Sequence, residues 1–255
     1  MLDEILERTR ARAADAAERR AEMVAAAKAT PAARPFAAAL RGPGLSVIAE
    51  IKRRSPSVGA INSALDPASQ ATKYASGGAA ALSVLTEPFF FDGSLDDLAA
   101  ARNAVSVPVL RKDFVIDEAQ VWEARAAGAD AVLLIVAALD PSLLADLVAV
   151  ASEAGVDALV EVHAEHEVGV ALDANASIIG VNNRDLSTFT TDLSVAERLR
   201  PLIPDGIVTV AESGVTSVEG ASRMRGAGYD AVLVGEAVVR HPDPSDFIAQ
   251  MRGAP

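Results

Sequence analysis

Four segments of the chain repeat one local form: GGAAALSVL (77–85), GADAVLLIV (128–136), GVDALVEVH (155–163) and GYDAVLVGE (228–236). Each has a glycine, a short linker of small residues and an apolar run of strand length. A glycine in that place ends a helix in the left-handed conformation and lets the chain turn into the next strand. Gly78, Gly128, Gly155 and Gly228 are separated by 50, 27 and 73 residues. Those intervals are close to two, one and three units of roughly 25 residues, the length of one strand, one helix and their loops.

The gaps in the series hold four more strand-like runs: LSVIAEIK (45–52), VPVLRK (107–112), SIIGVN (177–182) and IVTVAES (207–213). Between strands lie helical stretches at 66–76, 117–128 and 140–155, each with Asp near its start. Eight βα units in line predict an α/β fold, a (β/α)8 TIM barrel, with a doubly wound open sheet as the main alternative. The length of 255 residues suits one such domain over 1–255, with 1–44 as an N-terminal helical extension. Residues 1–28 read as one amphipathic helix. Prolines 31, 35 and 43 follow, with a short helix around 35–40. Leu2, Ile5 and Leu6 form one apolar stripe, and Phe36 and Leu40 another. The second is expected to pack near the barrel mouth and help exclude water.

Composition narrows the function. The absence of cysteine excludes disulfides, thiolate metal sites and Cys nucleophiles, and fits a reducing compartment. A net charge of −12 argues against nucleic-acid binding, so a site for an anionic ligand has to be a local positive island. The first twenty residues mix acids and bases and are not expected to act as a signal peptide. No window holds eighteen uninterrupted apolar residues, so no membrane span is expected and the reading is cytoplasmic.

Catalytic groups of a barrel gather at the C-terminal ends of its strands. The eight runs end there in Glu50, Lys52 and Ser55; LTEPFFFDGS; Arg111, Lys112, Asp113 and Phe114; an almost wholly apolar fourth; Glu161 and His163; Asn182, Asn183 and Arg184; Glu212, Ser213 and Gly214; Gly235 and Glu236. Alternation puts Glu50 and Lys52 on one face, either as a structural ion pair or as part of an acid–base site with Lys112 and Glu161. Gly214 and Gly235 each precede a helix start, and loops after the last two strands recur as phosphate sites in this class of barrel. Asn182 and Arg184 suit a substrate hydroxyl or carboxylate, or Arg184 pairs with Glu212. Phe89, Phe90, Phe91 and Phe114 suggest an apolar or aromatic ligand part near the mouth. His163, His166 and His241 lack metal-site spacing and read as cap or surface residues. The residues alone describe a barrel enzyme for a small phosphorylated substrate, using lysine and glutamate without a metal.

The motifs together resemble the indole-3-glycerol phosphate synthase family of tryptophan biosynthesis. AEIKRRSPSVG, LSVLTEPFFFDGS, PVLRKDFVID, ALVEVH, IGVNNRDL, VAESGV and DAVLVGEAVV run in the family's order across 47–239. The resemblance implies a carbon–carbon lyase without a cofactor. Such an enzyme converts 1-(2-carboxyphenylamino)-1-deoxyribulose 5-phosphate to indole-3-glycerol phosphate, CO2 and water. It implies Lys112 as general acid at the carbonyl and Glu161 as general base in dehydration. Lys52 would hold the anthranilate carboxylate, oriented by Glu50, with Asn182 and Ser213 completing the catalytic set. Ser55, Phe91, Phe114, Arg184 and Glu212 would bind substrate, and Ser213, Gly214, Gly235 and Glu236 the phosphate. A monomer is expected, with no nucleic-acid or membrane partner. Val58 departs from the family, which often has lysine there. The rivals are another phosphate-binding barrel, such as a phosphoribosylanthranilate isomerase, whose Cys–Asp pair this chain cannot supply, and a non-catalytic binding barrel.

Overall fold

A computed structural model of the chain describes residues 2–185 and 190–253. Eight parallel strands close on themselves: β1 (Ser46–Ile51), β2 (Ala81–Leu85), β3 (Val109–Lys112), β4 (Ala131–Ile135), β5 (Asp157–Val162), β6 (Ile178–Asn182), β7 (Val208–Glu212) and β8 (Ala231–Val234). β1 pairs with β2 on one side and β8 on the other, which closes the barrel. The extension forms α1 (Leu2–Glu18), α2 (Arg20–Ala29) and α3 (Phe36–Leu40). The crossovers carry α4 (Pro67–Ser76), α5 (Leu95–Ala104), α6 (Glu118–Ala126), α7 (Pro141–Ala154), α8 (Glu165–Asp173), α9 (Ser194–Leu199) and α10 (Val218–Gly226), and α11 (Glu236–Arg240) and α12 (Pro244–Arg252) follow β8. Among the described residues no helix is long and apolar enough to cross a membrane.

The expected (β/α)8 barrel and its helical extension are both present, with one difference at the start. The helix expected over 1–28 is two helices, broken at Arg19. Asp66 and Asp117 cap α4 and α6 by accepting a backbone N–H, whereas Asp140 precedes α7 without doing so.

Strand alternation separates two cores. Outward residues such as Val47, Leu82, Val132, Val160 and Val232 pack under the helices. Inward residues such as Ile48, Leu110, Leu133, Leu159, Val210 and Leu233 fill the barrel. Phe36 and Leu40 are fully buried in this second cluster, beside Ala81, Ala131, Ile178, Val208 and Ala231 at the strand starts. Helix α3 therefore plugs the N-terminal end of the barrel, opposite the mouth. This overturns the expectation of a lid there: alanines at three of the strand starts leave room for a large aromatic, which the charged strand ends do not.

The Asp of the repeated Gly-x-Asp-Ala form has a structural use at this end. Asp130 accepts the Val109 and Arg34 N–H groups, each at 2.8 Å. Asp230 accepts the Thr209 N–H at 2.8 Å, and Asp157 accepts the Ala37 N–H at 2.9 Å. Each ties a strand start to a neighbouring strand or to the extension, satisfying backbone donors that would otherwise be left over.

Candidate active site

The opposite strand ends open into one cavity of about 400 Å3. Its floor is Leu133, Ile135 and Leu233, the last apolar layer of the barrel interior. Above that floor the structure brings together Glu50, Lys52, Ser55, Phe91, Lys112, Phe114, Glu161, Asn182, Arg184, Glu212, Ser213, Gly214, Gly235 and Glu236. They come from seven of the eight strand ends, every one except the apolar end of β4. Leu2 and Ile5 of α1 also reach the rim, so the first apolar stripe of the extension lies near the mouth, not the second.

Two lysine–carboxylate pairs line the same cavity. Lys52 Nζ is 2.6 Å from Glu50 Oε1. Gly235 on the adjacent strand end makes room for that pair: a Cβ there would overlap Glu50 Oε1 and lie 2.9 Å from Lys52 Nζ. A larger residue at 235 would thus disturb the β1 pair as well as any anion approaching the backbone.

Lys112 Nζ is 3.0 Å from Glu161 Oε2 and 3.4 Å from Glu212 Oε2. Burial disfavours its charge, but Glu161, Glu212 and Glu50 outweigh burial and hold it protonated above the usual lysine range. Burial likewise opposes ionisation of Glu161, yet Lys112, His163 and Asn182 keep it well below the usual carboxylate range. Glu212 goes the other way. Burial, together with the charges of Glu161 and Glu50, overcomes Lys112 and pushes it up to about 8. Its Oε1 is buried without a hydrogen-bond partner in the space over Gly180, where a Cβ would overlap it.

The aromatic side is narrower than expected. Phe91 and Phe114 wall the cavity with ring centroids 6.4 Å apart. Phe89 is 47% exposed and, with Phe90, lies under the Arg8 guanidinium of α1 instead. The cause is Glu87, whose buried carboxylate accepts the N–H groups of Phe89, Phe90 and Phe91 and curls the segment so that only the last ring turns inward.

The segment after β7 reverses sharply, with Ser213 at φ 60° and Gly214 at φ 81°. Asn183 holds this turn by donating to the carbonyls of Glu212 and Ser213, at 2.9 and 3.2 Å. Ser213 and Gly214 both line the cavity, and a tight turn of successive backbone N–H groups in such a place suits an anion. The Glu236 carboxylate turns away to Arg240 at 2.9 Å, leaving its backbone to face the cavity. Arg184 reaches Ser57 of the first loop at 3.3 Å, and Glu212 turns to Lys112. Leu186 of the IGVNNRDL motif lies outside the described residues.

Sequence reasoning missed His163. It is no surface residue: its side chain is 13% exposed and lies between Glu161 and Glu167. The available signal was its position two residues after Glu161, on the same face of the strand, with a carboxylate four residues further on.

Similarity along most of its length links the chain to known proteins. The family model described as "Indole-3-glycerol phosphate synthase" matches residues 2–251. The chain is 54% identical to "Indole-3-glycerol phosphate synthase 2" of Streptomyces coelicolor, covering 91% of this chain and 90% of that protein. It is 51% identical to "Indole-3-glycerol phosphate synthase" of Mycobacteroides abscessus, covering 98% and 93%. Among solved structures, a thiamine phosphate pyrophosphorylase from Pyrococcus furiosus superposes with a TM-score of 0.63 at 16% identity, covering 84% of this chain and 96% of that one. That last likeness shows the barrel fold alone. The two sequence relatives and the family model span barrel and extension alike, and the chain belongs to the indole-3-glycerol phosphate synthase family.

Proposed function

We propose that this cavity is where the chain, a carboxy-lyase of that family, converts 1-(2-carboxyphenylamino)-1-deoxyribulose 5-phosphate to indole-3-glycerol phosphate, CO2 and water in tryptophan biosynthesis. The observation that carries the reading is the meeting of two lysine–carboxylate pairs, at 2.6 and 3.0 Å, with an aromatic wall in one cavity.

Lys52, fixed by Glu50, holds the phenyl carboxylate, and the ring lies against Phe91 and Phe114. Ser55 and Arg184 close the ligand in from the loops, and Ser213, Gly214, Gly235 and the backbone of Glu236 take the phosphate. The ring carbon bearing the carboxylate attacks the ribulose carbonyl. Lys112 gives its proton to the carbonyl oxygen, which becomes a hydroxyl. Loss of CO2 returns the electrons of the broken C–C bond to the ring. Glu161, with Asn182 holding its other oxygen, then takes a proton from the carbon beside nitrogen. The hydroxyl leaves as water after receiving a second proton. A carboxylate departs as neutral CO2, so each turnover takes up one proton. Glu212, which keeps its proton near neutrality, stands beside Lys112 to resupply it.

Incubation with the carboxyphenylamino substrate, following indole fluorescence and CO2, should give one CO2 for each indole formed. Folded protein that gives neither would rule the reading out. Inorganic phosphate should compete with the substrate, and the absence of competition would move the phosphate end of the site elsewhere.

A further inference from the structure

Glu161 and Glu212 flank Lys112 at 3.0 and 3.4 Å, and from Lys112 alone they would be near-equivalent. What separates them stands behind Glu161. Asn182 Nδ2 donates to Glu161 Oε1 at 3.0 Å, and His163 Nε2 lies 3.3 Å from the same oxygen. On its far side, His163 Nδ1 lies 3.5 Å from Glu167 Oε2, and that carboxylate accepts the His163 backbone N–H at 2.5 Å. The ring does not line the cavity, and neither nitrogen makes an aligned hydrogen bond. It is an imidazole enclosed between two carboxylates, so a positive charge on it is compensated from both sides. Glu212 has no such neighbour. Its Oε1 is buried and unpartnered, and a bare carboxylate oxygen in that position is costly.

We propose that His163, held in place by Glu167, is a positioning residue that decides which of the two carboxylates flanking Lys112 serves as the base. The assignment rests on the reading of Glu161 as that base. Burial opposes charge on the ring, but Glu161 and Glu167 outweigh it and push the imidazole up to about 10. The charged groups around it are Glu161 on β5 and Glu167 on α8. His166 acts on Glu167, and Lys112 on β3 reaches Glu161 from the cavity side. Paired groups pushed apart in this way define the acid and the base of a site.

The test is His163→Gln, with kcat and KM measured across the pH range and folding checked by circular dichroism. Without the imidazolium, Glu161 keeps its proton to higher pH, so the base is lost sooner on acidification. The acid limb of the kcat profile should move up by about one pH unit, a roughly 10-fold loss of kcat on that limb, with kcat near neutrality and KM nearly unchanged. Glu167→Gln should move the limb the same way by less, and it leaves the imidazole in place should His163→Gln fail to fold. An unshifted limb in both variants overturns the proposal, as does a loss of kcat that only follows a lower melting temperature. Glu161→Gln separates this from the underlying reading. If that variant stays active, Glu161 is not the base. If it is inactive while the limbs stay put, only the role of His163 fails.

Discussion

Three aspartates at one end of the barrel and three glutamates at the other use their carboxylates in different ways. At the N-terminal end, Asp130, Asp157 and Asp230 are each met by backbone N–H groups between 2.8 and 2.9 Å away. Those donors are fixed by strands and by the start of α3, so the acids act as rivets. At the C-terminal end, Glu50, Glu161 and Glu212 are met by ammonium groups, and one oxygen of Glu212 by nothing. An ammonium on a flexible stem can give up a proton, which a strand N–H does not. The plug differs in the same sense. Phe36 and Leu40 close one end with hydrocarbon, while the other end stays open over Leu133 and Leu233. The contrast teaches that the partner, more than the acid itself, separates a structural carboxylate from a chemical one.

Substitutions at the two ends should therefore have separable effects. Glu161→Gln should lower kcat by ~10²–10⁴-fold, the scale of a lost general base, with little change in melting temperature. A variant that melts early but turns over normally would erase the contrast. Phe36→Ala at the plug should cost about 3–5 kcal/mol of stability, read by denaturant unfolding, while the protein that remains folded keeps its kcat. Gly180→Ala should push Glu212 off its seat and lower kcat by roughly 10²-fold, the cost of a small misplacement near the chemistry. Normal kinetics there would mean that Glu212 has no fixed place in the mechanism. Asp130→Ala should cost ~1–3 kcal/mol by stranding the N–H groups of Val109 and Arg34, with KM and kcat unchanged. An altered kcat in that variant would show that the two ends are coupled.

Much of this was legible in the sequence, unevenly. Strand runs and the glycines after helices set the barrel, because continuous apolar runs of strand length and positive-φ glycines report directly on local backbone: Gly78, Gly128, Gly155 and Gly228 all have φ between 72° and 95°. The residues gathered at the cavity were legible because a parallel barrel brings all its strand ends to one face. What was not legible depended on contacts between distant segments. Phe36 could be seen as buried, but not at which end. The Asp of the repeated motif looked like linker, since its partners lie on a neighbouring strand or in the extension. Phe89 looked equivalent to Phe91 until Glu87 was seen to curl the segment between them. His163 was read as a cap or surface residue, because its spacing to Glu161 and Glu167 does not by itself show that the strand end and α8 enclose the ring between the two carboxylates.

In the proposed reaction the charged end does the chemistry, and Lys112 supplies its first proton. The most direct measurement is kcat and KM of Lys112→Ala, in protein shown to be folded by circular dichroism, with the carboxyphenylamino substrate and indole fluorescence as the readout. The expected result is a kcat lower by ~10²–10⁴-fold and a much smaller change in KM. A Lys112→Ala protein with near-normal kcat would contradict it.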